Sequence, residues 1–108
     1  MDQEELMEDP QVLHQQKVQK QMDDALNNPE LPRLYCNGFI VSIGTGDLFL
    51  ALKLNETPIA VLNISYTVAK TLAQKVGTAI ANLEDRTGNS IMTTEDIAMK
   101  LVKDADHD

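Results

Sequence analysis

The sequence predicts an α+β fold: a three-stranded antiparallel meander followed by a long amphipathic helix, with a weaker N-terminal helix and a short C-terminal helix. Three observations carry this. Apolar residues recur at every second position in the stretch from Leu34 to Ile64, the period of a strand. From Ser65 the period lengthens to that of a helix. The turns between the alternating runs are short, and connections of that length allow only antiparallel pairing.

The first helix is expected from Pro10 to about Asn27, with Asp9 as its N-cap and Pro10 at the first helical position. Its apolar stripe is thin: Val12, Leu13, Val18, Met22, Ala25 and Leu26, around a polar Gln-Gln-Lys-Val-Gln-Lys-Gln run. A helix this weakly amphipathic is either frayed or completed by a partner. Asn27 to Pro32 reads as a linker. Residues 1–32 thus form an acidic arm with a weak helix, 33–103 the core domain, and 104–108 an acidic tail.

The first strand is expected over 34–43, with Phe39, Val41 and Ile43 on one face. The second, 47–54, sets Leu48, Leu50, Leu52 and Leu54 against Phe49 and Ala51. The third, 57–64, sets Ile59 and Val61 against Ala60, Leu62 and Ile64, with Pro58 near its start. Gly44 and Gly46, in Ser-Ile-Gly-Thr-Gly-Asp-Leu, are expected to supply positive φ to a hairpin turn. A phosphate cradle would need a helix after this loop, and a strand follows it instead.

The long helix is expected from Ser65, its N-cap, to about Arg86, with Gly88 as its stop. Val68, Leu72, Val76, Ala79, Ile80 and Leu83 fall within an arc of about 120°. Gly77 inside it either allows a backbone to approach or is a tolerated small residue. The last helix starts at Thr93 or Thr94, where Thr-Thr-Glu-Asp forms a capping box, and its stripe is Ile97, Ala98, Leu101 and Val102.

Composition narrows the function. The net charge of −8 is concentrated at the ends: residues 1–30 carry eight acidic and two basic side chains, residues 31–92 four and five, residues 93–108 five and two. Such a chain repels nucleic acids and anionic membranes. No basic, apolar leader and no membrane-length apolar run is present, and the single Cys36 forms no internal disulfide, so a cytoplasmic protein is expected. Cys36 is expected in the first strand as a small hydrophobe.

No catalytic set can be assembled. His14 and His107 lack ligand partners at metal spacing, and Asp104, Asp106, His107 and Asp108 read as a solvated tail, so neither a metal nor another cofactor is expected. Glu84-Asp85 and Glu95-Asp96 sit at helix ends, where capping accounts for Asp96. Asn37 interrupts an apolar face. Either Tyr35 and Asn37 mark the start of the strand with a bulge at Gly38, or Tyr35, Asn37 and Asn63 line a small polar site.

The second and third strands are apolar on both faces, and one helix covers only one of them. A homo-oligomer, with a dimer favoured, is therefore expected, together with another protein as partner. The interface candidates are Leu48, Leu50, Leu52, Leu54, Ile59, Val61, Val18 and Met22. The expected function is non-enzymatic: an adaptor or chaperone-like interaction module. The alternative is a small-ligand-binding or sequestering protein, of phage or defence origin, with its site between subunits.

Leu-Tyr-Cys-Asn-Gly-Phe-Ile-Val-Ser-Ile, Asp-Leu-Phe-Leu-Ala-Leu and the Ala-Lys-Thr-Leu helix resemble a small prokaryotic family, number 3467 of the domains of unknown function. The matching positions are Tyr35, Asn37, Asp47, Ala69, Lys70 and Leu72, within residues 34–91. That resemblance implies a bacterial protein and no established activity. The order of strands and helix is also similar to that of the export chaperone SecB, an oligomer that holds unfolded chains, although likeness of fold does not give function.

Overall fold

A computed structural model describes residues 9–106, with the side chains of Asp104, Ala105 and Asp106 left aside. The chain divides into two units, Met1–Cys36 and Asn37–Asp108. In the first, α1 spans Pro10–Leu26. The Asp9 carboxylate accepts the Gln11 N–H at 2.9 Å, and Pro10 occupies the first turn, as the sequence predicts. Lys20 and Asp24 pair at 2.9 Å one turn apart on the solvent side. The helix stops at Asn27, whose side chain donates to the Asp23 carbonyl at 2.9 Å. The linker then turns on Asn28, whose side chain accepts the Glu30 N–H at 3.0 Å.

The second unit is the predicted α+β arrangement. β1 (Gly38–Ile43), β2 (Asp47–Leu54) and β3 (Thr57–Ser65) form an antiparallel meander in the order β1-β2-β3. They are followed by α2 (Tyr66–Thr87) and α3 (Thr94–Asp106). β1 begins four residues later than expected, because no strand pairing reaches back beyond Asn37, whose N–H donates to the Lys53 carbonyl at 3.0 Å. Cys36 therefore precedes the strand and is exposed, not a buried hydrophobe.

The helix boundaries follow from their caps. Ser65 Oγ accepts the Val68 N–H at 3.2 Å. Gly88 closes α2 at φ 71°, a left-handed position that favours glycine. The box before α3 is reciprocal: Thr93 Oγ1 accepts the Asp96 N–H at 3.1 Å, and the Asp96 carboxylate accepts the Thr93 N–H at 3.0 Å. Glu84 holds the connection by accepting the Ile91 N–H at 2.7 Å.

The two hairpin turns reverse the expectation for glycine. Neither Gly44 nor Gly46 has a positive φ. Gly44 is needed for space: a Cβ there would strike the Phe49 ring and stand 2.9 Å from the Asp47 carbonyl. The left-handed turn is the second one, at Asn55 (φ 51°) and Glu56 (φ 75°). Two successive positive φ angles between paired strands define the tight turn that matches strand twist. Asn tolerates that conformation, whereas Glu is strained by about 1 kcal/mol. Glu56→Gly is accordingly expected to stabilise the fold by about 1 kcal/mol in urea unfolding at fixed protein concentration. The Lys53–Glu56 pair that it removes is long, 3.5 Å, with Glu56 almost fully exposed, and so contributes little.

Among the described residues no side chain is buried. β2, in the middle of the sheet, is mostly half-buried. Along α2 only Ala69 and Glu84 are half-buried, and the rest of the helix is exposed. The phenol of Tyr66 donates to the Gly44 carbonyl and ties the start of α2 to the first hairpin. Beyond that tie α2 does not cover the sheet as expected: Val68, Leu72, Val76, Ile80 and Leu83 are all at least 41% exposed.

Candidate interaction surface

Opposed residues of an antiparallel pair share a face, so the register assigns every strand residue. Three rows cross the sheet on one side: Phe39–Leu52–Ala60, Val41–Leu50–Leu62 and Ile43–Leu48–Ile64. All nine side chains are apolar and none carries a charge. The other side is mixed: Ile40–Ala51–Val61, then Ser42–Phe49–Asn63, then Gly38–Lys53–Pro58. Apolar content on both faces is thus real, but only one face is wholly apolar.

The register separates the expected interface residues. Leu48, Leu50 and Leu52 lie together on the apolar face, and Leu54 ends the same strand opposite Thr57. Val61 lies on the mixed face. Ile59 falls where the register slips, between the pairs Leu52–Ala60 and Lys53–Pro58, and faces no single partner. Val18 and Met22 belong to α1, in the other unit, and are 47% and 54% exposed. Ala60, Leu62, Ile64 and the β1 residues Phe39, Val41 and Ile43 complete the apolar face. Sequence reasoning recognised their alternation, but it had no register with which to join them to the leucines.

The polar candidates separate as well. The Asn37 carboxamide makes two bonds to the second turn: its oxygen accepts the Asn55 N–H at 2.9 Å and its nitrogen donates to Asn55 Oδ1 at 2.9 Å. Asn37 N–H donates to the Lys53 carbonyl, and Lys53 is also the register partner of Gly38; the β1–β2 register itself runs without a shift. Asn63 pairs with Phe49, several residues along the sheet from Asn55, so Asn37 and Asn63 stand apart, and Tyr35 belongs to the other unit.

No family model matches the chain, and neither a curated protein nor a solved structure matches it.

Among the described residues the remaining features bring no further groups together. Two shallow depressions are each lined by one helix: Pro10, Gln11, His14 and Gln15 of α1, and Met99, Lys100, Val102 and Lys103 of α3. No group of three His, Cys, Asp or Glu that could hold a metal occurs among the described residues. The tail, Asp104 to Asp108, with its His107, lies outside the described side chains. Glu84 is engaged in bracing the α2–α3 connection and Asp96 in capping α3. No helix among the described residues is long and apolar enough to cross a membrane.

Gly77 lies on α2 outside the apolar arc, and a Cβ there would meet nothing within 4 Å. Gly77→Ala is therefore expected to stabilise the helix by about 1 kcal/mol, measured by thermal unfolding.

Proposed function

We propose that this chain is a non-enzymatic, self-associating protein-interaction module of adaptor or chaperone-like type, with its wholly apolar sheet face as the contact surface. One observation carries the reading: nine apolar side chains form a continuous face, and none of them is buried in the single chain. Fully burying a Leu, Ile, Val or Phe side chain stabilises by about 1.5–3 kcal/mol, and that gain is what offsets the conformational entropy lost on folding. A single chain that leaves these residues wet forfeits most of it. Apolar patches of this extent on a soluble protein mark interaction sites.

Charge fits the same reading. The segment 31–92 is nearly neutral, so two copies can bring their sheets together while the acidic ends stay in solvent. Those ends favour neither nucleic acid nor anionic membrane, and they are suited to keeping an apolar complex soluble. The reading extends to a bacterial, cytoplasmic oligomer that holds other polypeptides, its bacterial part resting on the sequence resemblance of residues 34–91 alone.

The test is retention of a denatured client protein. The chain is expected to suppress client aggregation at near-stoichiometric ratios, and Leu50→Asp to abolish the effect. Aggregation that proceeds unchanged in the presence of the unmodified chain would refute the client-holding function.

A further inference from the structure

We infer that the free edge of β1 pairs with β1 of a second copy, in antiparallel register centred on Val41, to join two three-stranded sheets into one. The inference adds an edge contact to the self-association proposed above and rests on it: edge pairing widens the apolar face and leaves it open to the face-to-face contact.

The hydrogen-bond parity identifies which groups are free. Gly44 N–H donates to the Asp47 carbonyl at 2.8 Å, so 44 and 47 form a closely bonded pair. In an antiparallel ladder such pairs recur at every second residue. Ser42–Phe49, Ile40–Ala51 and Gly38–Lys53 are then the bonded pairs of this ladder. The even-numbered residues of β1 spend their backbone groups on β2. Phe39, Val41 and Ile43 direct theirs outward, where the sheet order provides no neighbour. An edge with unpaired N–H and C=O groups is a template for another strand.

The two edges of the sheet differ in how they are guarded. β3 carries Pro58 and the register slip at Ile59, both of which blunt pairing. β1 reads Gly-Phe-Ile-Val-Ser-Ile, with no charge, no proline and no slip within Phe39–Ile43. It is also the most exposed strand on both faces: Phe39 64%, Ile40 51%, Val41 50% and Ile43 71%.

The occupant is a second copy because the edge is self-complementary. With Val41 opposite Val41 of the other copy, Phe39 falls opposite Ile43 and Ile43 opposite Phe39. The outward groups of all three residues then pair, giving about six hydrogen bonds across the two-fold axis. This register keeps the apolar rows of both copies on the same side, so the apolar face continues across the join. The uncharged strand sets no like charges against each other at the join, and the net charge of −8 on each copy is concentrated toward the ends of the sequence.

The experiment is cysteine scanning in the full chain on a Cys36→Ser background, since exposed Cys36 would otherwise crosslink. Val41→Cys places two thiols on the axis, with Cα atoms about 5.5 Å apart, within the span of a disulfide. Ile43→Cys places them about 13 Å apart along the strand, and Val61→Cys lies on β3, away from the join. Under mild oxidation Val41→Cys is expected to give about tenfold more covalent dimer than either control. Mixing Phe39→Cys with Ile43→Cys is expected to give the mixed disulfide.

An oligomer by light scattering with no preference for position 41 would overturn this inference and leave self-association standing. A monomer by light scattering would overturn both. Equal crosslinking at 41, 43 and 61 would show non-specific encounter and overturn the edge pairing.

Discussion

Leu50→Asp is expected to destabilise the folded protein by about 3 kcal/mol or more and to remove its self-association. Leu50 sits in the middle strand and the middle row of the apolar face, between Val41 and Leu62. In a single chain it is half-buried, so a carboxylate there would keep much of its hydration. In an assembly that covers this face, the carboxylate would be buried without a partner or expelled, and either outcome breaks the contact. The magnitude therefore separates the two situations. Asn63→Asp, exposed on the mixed face of β3, is the control and is expected within about 0.5 kcal/mol of the parent. Urea unfolding at fixed protomer concentration reads both; a Leu50→Asp effect as small as that of Asn63→Asp would count against a covered face.

Asn37→Ala is expected to cost about 1.5 kcal/mol. The substitution removes both bonds that hold the second turn, those with Asn55 N–H and Asn55 Oδ1. These groups are exposed, so water replaces part of what is lost, and the cost stays near the value of ordinary hydrogen bonds. Asn37→Asp keeps the acceptor for Asn55 N–H and loses only the donor, so about half the cost is expected. Equilibrium unfolding measures both. Full retention of stability by Asn37→Ala would show that Asn55 and Glu56 hold their left-handed turn without help.

Much of the fold was legible because its signals are local. Ser65, Gly88, Thr93 and Asp96 are caps whose chemistry acts within a few residues, and the structure places them as the sequence predicts. The alternation in β2 and β3 is equally local. What escaped depends on contacts between distant residues. Asn37 meets Asn55 across 18 positions, and nothing near Asn37 announces that partner. Glycine in a turn often takes positive φ, and that is the expectation for Gly44 that the structure overturns. What requires glycine there is the Phe49 ring, which only the register brings over it. The left-handed pair at Asn55 and Glu56 was hidden by its composition, since Glu seldom takes that conformation. The grouping of Ile59 and Val61 with the leucines failed for the same reason: side is set by pairing, and a slip after Leu52 leaves Ile59 out of register.

That the apolar face is left uncovered by the described residues of its own unit has a thermodynamic consequence. If the core is completed between copies, folding and association are one equilibrium, and stability depends on protomer concentration. Light scattering combined with thermal unfolding at two concentrations a hundredfold apart tests this directly. A mass of at least twice 12.0 kDa and an unfolding midpoint that rises with concentration are expected. A folded particle of 12.0 kDa whose midpoint is the same at both concentrations would contradict a core completed between copies.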